Sequence, residues 1–384
     1  MTTRPLGRST IAIHGQPSRR PDWAPVVEPL VQSATFTNPV GSDEETLYSR
    51  YGNNPNQVRL AAKYAQLEGA EDAVFVASGM GATALAHLAV LRPGDHLISS
   101  EVTYGGTRQL FDTELSRFDI SVTYVDPTNP RVWRRAIRDH TRAIFVETPT
   151  NPLMRVVSLG PVAQVANEFG LVLLVDGTLA SPINFRPLAH GADLVITSAT
   201  KYLNGHSDVI GGAVAGSADL VEEVTRLMRL WGQALDPHAA WLIERGMRTL
   251  AVRMARHNEN AQAVAQWASG HAGFAAVHYP GLPTHQDHAV AKAEMDGFGG
   301  MVGLELKDGI HGVTRFLRRL KLIIHAPSLA GVESLVSEPR YTSHRHVAQT
   351  ARERMGIPDG FLRLSCGIED VEDIIADLEQ ALEH

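Results

Sequence analysis

The sequence has almost no cysteine. The single thiol, Cys366, excludes an internal disulfide, fits a reducing compartment, and reads as a structural rather than a reactive group. Lysine is also scarce: only Lys63, Lys201, Lys292, Lys307 and Lys321 stand among 35 basic residues, so arginine serves wherever simple charge is enough. A lysine kept in such a chain draws attention, because arginine cannot form an imine. No apolar run approaches the length of a membrane span, and Met1 to Gln16 lack the apolar centre of a signal peptide, so a cytoplasmic protein is expected. Positive charge is not in excess either. The formal net charge of -7 argues against nucleic acid as a main partner and means that a small anionic ligand would need local positive sites.

What is present is ordinary for a globular protein: 384 residues, of which 44% are hydrophobic and 20% charged, enough for two domains or one large domain with an appendage. Residues 1–55 show no sustained period and carry many Pro, Thr, Ser and Asn, which suggests an extended arm packed on something else, in an oligomer on a neighbour. Asn56 to Gly69 has Leu60, Ala61, Tyr64 and Leu67 at helical spacing, with Gly69 as a C-cap. Short apolar runs then alternate with helical patterns at Ala73–Ala77, His96–Ser100, Ile120–Val125, Ala143–Glu147, Leu171–Asp176, Asp193–Thr197 and Gly212–Gly216. This alternation predicts an α/β fold with a mainly parallel seven-stranded sheet over residues 56–245. Residues 246–384, with a long helical region, strands at Met301–Leu306 and Phe361–Leu364 and an amphipathic helix at Val371–Leu382, predict a smaller C-terminal α+β domain.

In open parallel sheets ligands bind beyond the carboxyl ends of the strands, so the residues following each run are the candidates for chemistry. Ser78-Gly-Met-Gly-Ala82 precedes a helical pattern and offers free backbone amides to an anion such as phosphate. Gly79-x-Gly81-x-x-Ala84 with Glu101 also matches a dinucleotide fingerprint, for which a plain tight turn is the alternative. Tyr104, followed by Gly105 and Gly106, could lay its ring on a flat ligand. Asn151 sits in the loop Glu147-Thr-Pro-Thr-Asn-Pro152 and offers a two-way hydrogen-bonding group, or simply turn chemistry. Asp176 places a carboxylate where a hydrophobic strand emerges, which requires a cation such as a protonated heterocycle, or else a helix N-terminus. Lys201 follows another strand end, just after the hydroxyls of Ser198 and Thr200, in a setting that would lower its pKa, unless it is a plain surface lysine. Arg363, inside the apolar strand Phe361-Leu-Arg-Leu364, calls for an anionic partner, either a substrate or a structural ion pair. A phosphate cup, a stacking ring, a carboxylate and an amine on successive strand ends are what pyridoxal 5'-phosphate requires.

On these residues the sequence resembles the Cys/Met-metabolism (trans-sulfuration) family of pyridoxal-phosphate enzymes, from about Thr35 to the C-terminus. The most specific stretch is Ser198-Ala-Thr-Lys-Tyr-Leu-Asn-Gly-His-Ser-Asp-Val-Ile-Gly-Gly212. Tyr48-Ser-Arg-Tyr-Gly-Asn53, Ser78-Gly-Met80, Tyr104-Gly-Gly-Thr107, Glu147-Thr-Pro-Thr-Asn-Pro152, Ser328-Leu-Ala-Gly-Val-Glu-Ser-Leu335 and Arg363-Leu-Ser365 follow in the family's order. The resemblance implies PLP fold type I, the aspartate-aminotransferase-like architecture, and pyridoxal 5'-phosphate as cofactor. It implies Lys201 as the cofactor's lysine, Asp176 as partner of the ring nitrogen, and Tyr104 as the stacking ring. Gly79, Met80, Ser198 and Thr200 would hold the phosphate. Tyr48 and Arg50 would reach into a neighbouring subunit's site, which implies a dimer built into a tetramer. Arg363, helped by Asn151 and Ser328, would clamp the substrate α-carboxylate.

Departures from the family pattern bear on the reaction. Gly177 replaces the usual Asn after the strand-end Asp, and Ala330-Gly331 replaces a glycine pair. Gly106 stands where methionine γ-lyases carry a Cys, and Leu329 where bacterial β-lyases tend to have an aromatic residue. The expected reaction is therefore elimination or replacement at the γ-carbon of cystathionine or an O-acylhomoserine, with Lys201 moving the α-proton and Tyr104 and Tyr48 handling protons at amine exchange and leaving-group departure. Methionine γ-lyase, O-acylhomoserine sulfhydrylase and cystathionine β-lyase activities are the alternatives within the family. A nicotinamide oxidoreductase and a metal site at His278, His285 and His288 are those outside it.

Overall fold

A computed structural model describes residues 5–16, 21–343, 345 and 349–383. Seven strands, β1 (Asp72–Val76), β2 (His96–Ser100), β3 (Ser121–Val125), β4 (Thr141–Glu147), β5 (Val172–Asp176), β6 (Leu194–Thr197) and β7 (Gly212–Gly216), form one sheet in the order β1-β7-β6-β5-β4-β2-β3. β7 runs antiparallel to β1 and β6, while the other pairings, β2 with β3, β2 with β4, β4 with β5 and β5 with β6, are parallel. The mainly parallel seven-stranded sheet read from the apolar runs is thus present, each run matching a strand to within two residues.

The strands are nearly continuous hydrophobic runs because both faces are covered. Alternate residues divide between two cores: Leu97, Phe145, Leu174, Ile196 and Val214 pack against Leu85 on one face, while Ile98, Ile144, Val146, Leu173 and Val175 pack against Val162 on the other. The helix Pro55–Glu68 is closed at both ends by its own sequence. Asn54 accepts from the Asn56 amide at 2.9 Å, Gln57 accepts from the Asn54 amide at 3.0 Å, and Gly69, at φ +74°, caps the C-terminus as the spacing predicts.

A second sheet contains β8 (Phe274–His278), β9 (Met301–Leu306), β10 (Ile324–His325), β11 (Leu335–Ser337) and β12 (Phe361–Ser365), in the order β10-β11-β12-β9-β8. The helices Leu250–Gly270 and Val371–Leu382 close over it around Val302, Leu304, Leu362 and Leu364. This is the smaller α+β unit expected at the C-terminal end. Arg363 lies on its central strand, facing away from that core.

The N-terminal arm departs from the expectation of an extended segment. Arg8–His14 is a helix held by its own chain: Ala12 is buried with Leu60 and Tyr64, and the Lys63 ammonium donates to the Ile13 carbonyl at 3.0 Å. Seven residues are too few for a helical period to stand out in the sequence. Beyond it, residues 21–47 are irregular apart from one bridge between Thr35 and Tyr48, and Trp23, Val26 and Val40 are almost fully exposed. Residues 1–4 and 17–20 of the expected arm, and 384 at the other end, lie outside the described residues.

Candidate active site

A cavity of about 550 Å³ opens where the carboxyl ends of β4, β5 and β6 face Pro327, Ser328, Leu329 and the central-strand residue Arg363 of the second unit. Its volume suits a cofactor together with a small substrate. Gly79, Met80, Tyr104, Asn151, Asp176, Ser198, Lys201, Ser328 and Arg363 all line it, so residues spread over most of the chain converge there.

At one end of the cavity the helix Gly79–Val90 begins, with Ser78 as its N-cap accepting from the Gly81 amide at 3.0 Å. The amides of Gly79 and Met80 therefore have no acceptor within the helix, and they carry its positive end. Ser198 lies so close that a Cβ on Gly79 would meet its Oγ at 2.7 Å. A hydroxyl beside a bare helix N-terminus is a suitable seat for a phosphate. Thr200 is placed differently: its hydroxyl donates to the Gly211 carbonyl at 3.2 Å and accepts from the Gly211 amide at 3.1 Å, and it does not line the cavity.

Two carboxylates stand at neighbouring strand ends. Asp176 and Glu147 are register partners on β5 and β4, and burial pushes both of their pKa values up. Asp176 accepts from the Thr178 amide at 2.9 Å. Glu147 accepts from the Tyr104 amide at 2.6 Å and the Asn151 amide at 2.8 Å. Among the described residues neither acid has a basic side chain as partner. Buried carboxylates in that state favour a cationic guest, and a protonated ring nitrogen is one.

Lys201 follows β6 in a tight turn, its amide bonded to the Ser198 carbonyl at 3.1 Å. Its Nζ donates to Ser328 Oγ at 2.7 Å, and burial, followed by the nearby Arg363 charge, lowers its pKa to about 8. Arg363 is 4% exposed, with Nη1 on Asn151 Oδ1 at 3.0 Å and Nη2 on the Ser328 carbonyl at 2.8 Å. Its Nε has no partner, and no carboxylate pairs with it among the described residues. Ser328 thus connects the amine to the guanidinium, in a left-handed conformation (φ +85°) that is uncommon for a non-glycine residue.

Tyr104 is 40% exposed at the cavity mouth. A Cβ on Gly106 would meet its ring at 2.6 Å and the Met80 sulfur at 3.1 Å, so only glycine at 106 leaves the ring where it is. Tyr48 and Arg50 do not line the cavity of their own chain. The Arg50 guanidinium lies over the rings of Tyr48 (5.4 Å) and Tyr51 (4.8 Å) and donates to the Arg229 carbonyl at 2.7 Å.

Residues 9–383 match the family profile described as Cys/Met metabolism PLP-dependent enzyme. The chain belongs to this family. Among its curated relatives are a cystathionine beta-lyase of Coxiella burnetii, 40% identical over 377 residues covering 97% of both chains, and a cystathionine gamma-synthase of Mycobacterium bovis, 41% identical over 379 residues covering 98% of this chain and 97% of the other. The crystal structure of cystathionine gamma synthase from Xanthomonas oryzae pv. oryzae in complex with cystathionine superposes with a TM-score of 0.94 at 38% identity, covering 99% of this chain and 98% of that one. The protein is thus a PLP-dependent enzyme of the trans-sulfuration type, with pyridoxal 5'-phosphate as its cofactor. The helix N-terminus beside Ser198, the unpartnered acids and the buried Lys201 amine fit that cofactor.

The alternatives outside the family lose their support at the same places. Glu101, which a dinucleotide site would need, is exposed and does not line the cavity. His278 bonds Glu305 at 2.6 Å, His288 bonds the Pro280 carbonyl at 2.8 Å and His285 lies 3.4 Å from the Leu153 carbonyl. Among the described residues no group of three or more potential ligands converges on a metal position. Glu147 is the site residue that sequence reasoning left without a task, although its signal was the same as that of Asp176: an acid closing a buried hydrophobic strand. Thr178 and the Tyr341–Ser343 segment, which also line the cavity, carry no comparable signal.

Proposed function

We propose that the protein catalyses elimination or replacement at the γ-carbon of cystathionine or an O-acylated homoserine. The observation that carries the reading is Arg363: a buried guanidinium without an acid of its own, facing the same cavity as the Lys201 amine, is suited to a substrate α-carboxylate. Asn151 and Ser328 orient the fork and each uses one N–H of an Nη group, so each Nη keeps a second donor for the ligand. Bound pyridoxal phosphate supplies a carbonyl carbon for amines and a protonated ring that takes up the electron pair left at the substrate's α-carbon. Gly79, Met80 and Ser198 would hold its phosphate, Asp176 would keep its ring nitrogen protonated, and Tyr104 would cover its ring. Lys201 Nζ, with a pKa near 8, would take the α-proton and then a β-proton, and the electron pair freed at the β-carbon would expel the γ-substituent. Tyr104, with Tyr48 from a neighbouring subunit, handles the proton of the departing group.

Gly106 and Leu329 support the γ reading over a methionine γ-lyase or a bacterial-type β-lyase. A side chain at 106 would collide with Tyr104 as it now stands. The name of the Coxiella burnetii relative favours cystathionine β-lyase as the second reading. The two separate by product. Cofactor-loaded protein given L-cystathionine releases 2-oxobutyrate under the γ reading, identified by mass spectrometry, whereas pyruvate would establish β-cleavage instead.

A homotetramer of dimers that share active sites completes the proposal. It is supported by the position of Tyr48 and Arg50 outside their own cavity and by the exposed apolar side chains of Trp23, Val26 and Val40. The domain division at residues 55 and 245 and a cytoplasmic location belong to the same reading. Among the described residues no helix is long and apolar enough to cross a membrane.

A further inference from the structure

Glu147 is 4% exposed and lines the cavity, yet the steps above do not use it. Its two oxygens are engaged in different directions. Oε2 accepts from the Tyr104 amide at 2.6 Å, at the start of the segment that carries the stacking ring. Oε1 accepts from the Asn151 amide at 2.8 Å, and the Asn151 side chain in turn accepts from Arg363 Nη1 at 3.0 Å. One side chain at the end of β4 therefore fixes both the ring that covers the cofactor and the amide that aims the carboxylate clamp. A carboxylate is the only side-chain group that can accept in both directions at once without bringing a donor against one of the amides. Placing it beside Asp176, with no basic partner among the described residues, is unfavourable for folding alone, because the two acids repel in a dry setting. A glutamine would fill the same volume without the charge.

We propose that Glu147 is a positioning residue that holds the Tyr104 ring and the Arg363–Asn151 clamp in register, so that substrate carboxylate recognition depends on a side chain that does not touch the substrate. The proposal rests on the assignment of Arg363 to the substrate carboxylate. In Glu147→Gln the amide nitrogen faces one of the two backbone N–H groups, and one strand-end segment loses its anchor.

The test uses cofactor-loaded wild type, Glu147→Gln and Glu147→Asp. Glycine, which has the carboxylate and amine of the substrate without a leaving group, is titrated by the change in cofactor absorbance, and the visible circular dichroism of the bound cofactor is recorded. Loss of one anchoring hydrogen bond predicts that Glu147→Gln binds glycine about fivefold to tenfold more weakly, with an altered cofactor dichroism. Glu147→Asp restores the charge but is one methylene short of bridging both amides, so it remains weakened. Wild-type affinity and dichroism in Glu147→Gln would overturn the proposal. So would full rescue by Asp, which would assign the effect to charge alone, and so would failure of both variants to fold and load cofactor, which would assign Glu147 to stability. If wild type itself loads cofactor but takes up no glycine, the reading of Arg363 falls, and the proposal falls with it.

Discussion

Replacing Arg363 with leucine separates the cost of its burial from its use. Burial lowers the guanidinium to about 10, equivalent to on the order of 3 kcal/mol for holding the charge in the ligand-free cavity. Leucine removes that cost but leaves Asn151 Oδ1 and the Ser328 carbonyl without their donor, at about 1–3 kcal/mol for each acceptor that water does not reach. These effects oppose each other, so the folding stability of Arg363→Leu should stay within about 3 kcal/mol of wild type in either direction. Substrate recognition has no such offset. Two hydrogen bonds between charged groups, at about 1.5–3 kcal/mol each, predict a fall in kcat/KM of roughly 10² to 10⁴-fold. The assay pairs a denaturant melt of each protein with initial rates of 2-oxo acid release from cystathionine. Lysine at 363 should recover part of the loss, since it keeps the charge but not the fork. A variant that folds normally, loads cofactor and keeps kcat/KM within about threefold of wild type would refute the role given to Arg363.

Lys201→Ala should load no covalently held cofactor, losing the visible absorbance of the protein purified with pyridoxal phosphate, and its activity should fall to background in the same assay. Without cofactor, the depressed pKa of Lys201 has a further consequence. Between about pH 8 and the unfolded value of 10.5 the unfolded chain binds a proton that the folded chain does not, so this group makes stability rise with pH across that window. Urea melts of cofactor-free protein at intervals from pH 7.5 to 10 should show this contribution, and Lys201→Met should lack it. Gly177 has ordinary contacts around an added Cβ, 3.5 Å to Pro187 and 3.6 Å to Val195, and no left-handed φ. Gly177→Ala should therefore be stabilising by about 0.4–1 kcal/mol in thermal or urea melts, through the unfolded state, with the Gly177 amide still bonded to the Ile196 carbonyl.

The sequence by itself determined the sheet and named most of the residues that line the candidate cavity, because both rest on local signals. A buried parallel strand must be a continuous apolar run, and an acid or amine at the end of such a run is conspicuous. That is how Asp176, Lys201 and the Ser78–Ala82 turn were legible. Gly69 ends its helix by a rule of backbone geometry that needs no neighbours. Arg363 was conspicuous for the same reason, as one charge in an apolar strand.

Tertiary structure alone decided what those groups meet. The helix Arg8–His14 is too short to show a period and owes its place to the burial of Ala12 against Leu60 and Tyr64. Thr200 stands next to Lys201 in sequence, yet the turn directs its hydroxyl to Gly211 and away from the cavity. Glu147 carried the same local signal as Asp176, but its two acceptor bonds join segments 43 and 4 residues away, and no spacing in the sequence encodes that pair. Ser328 joins Lys201 to Arg363 across 127 and 35 residues. Local patterns place chemical groups at strand ends; only the packing of those ends against one another and against the second unit decides which of them share a hydrogen bond.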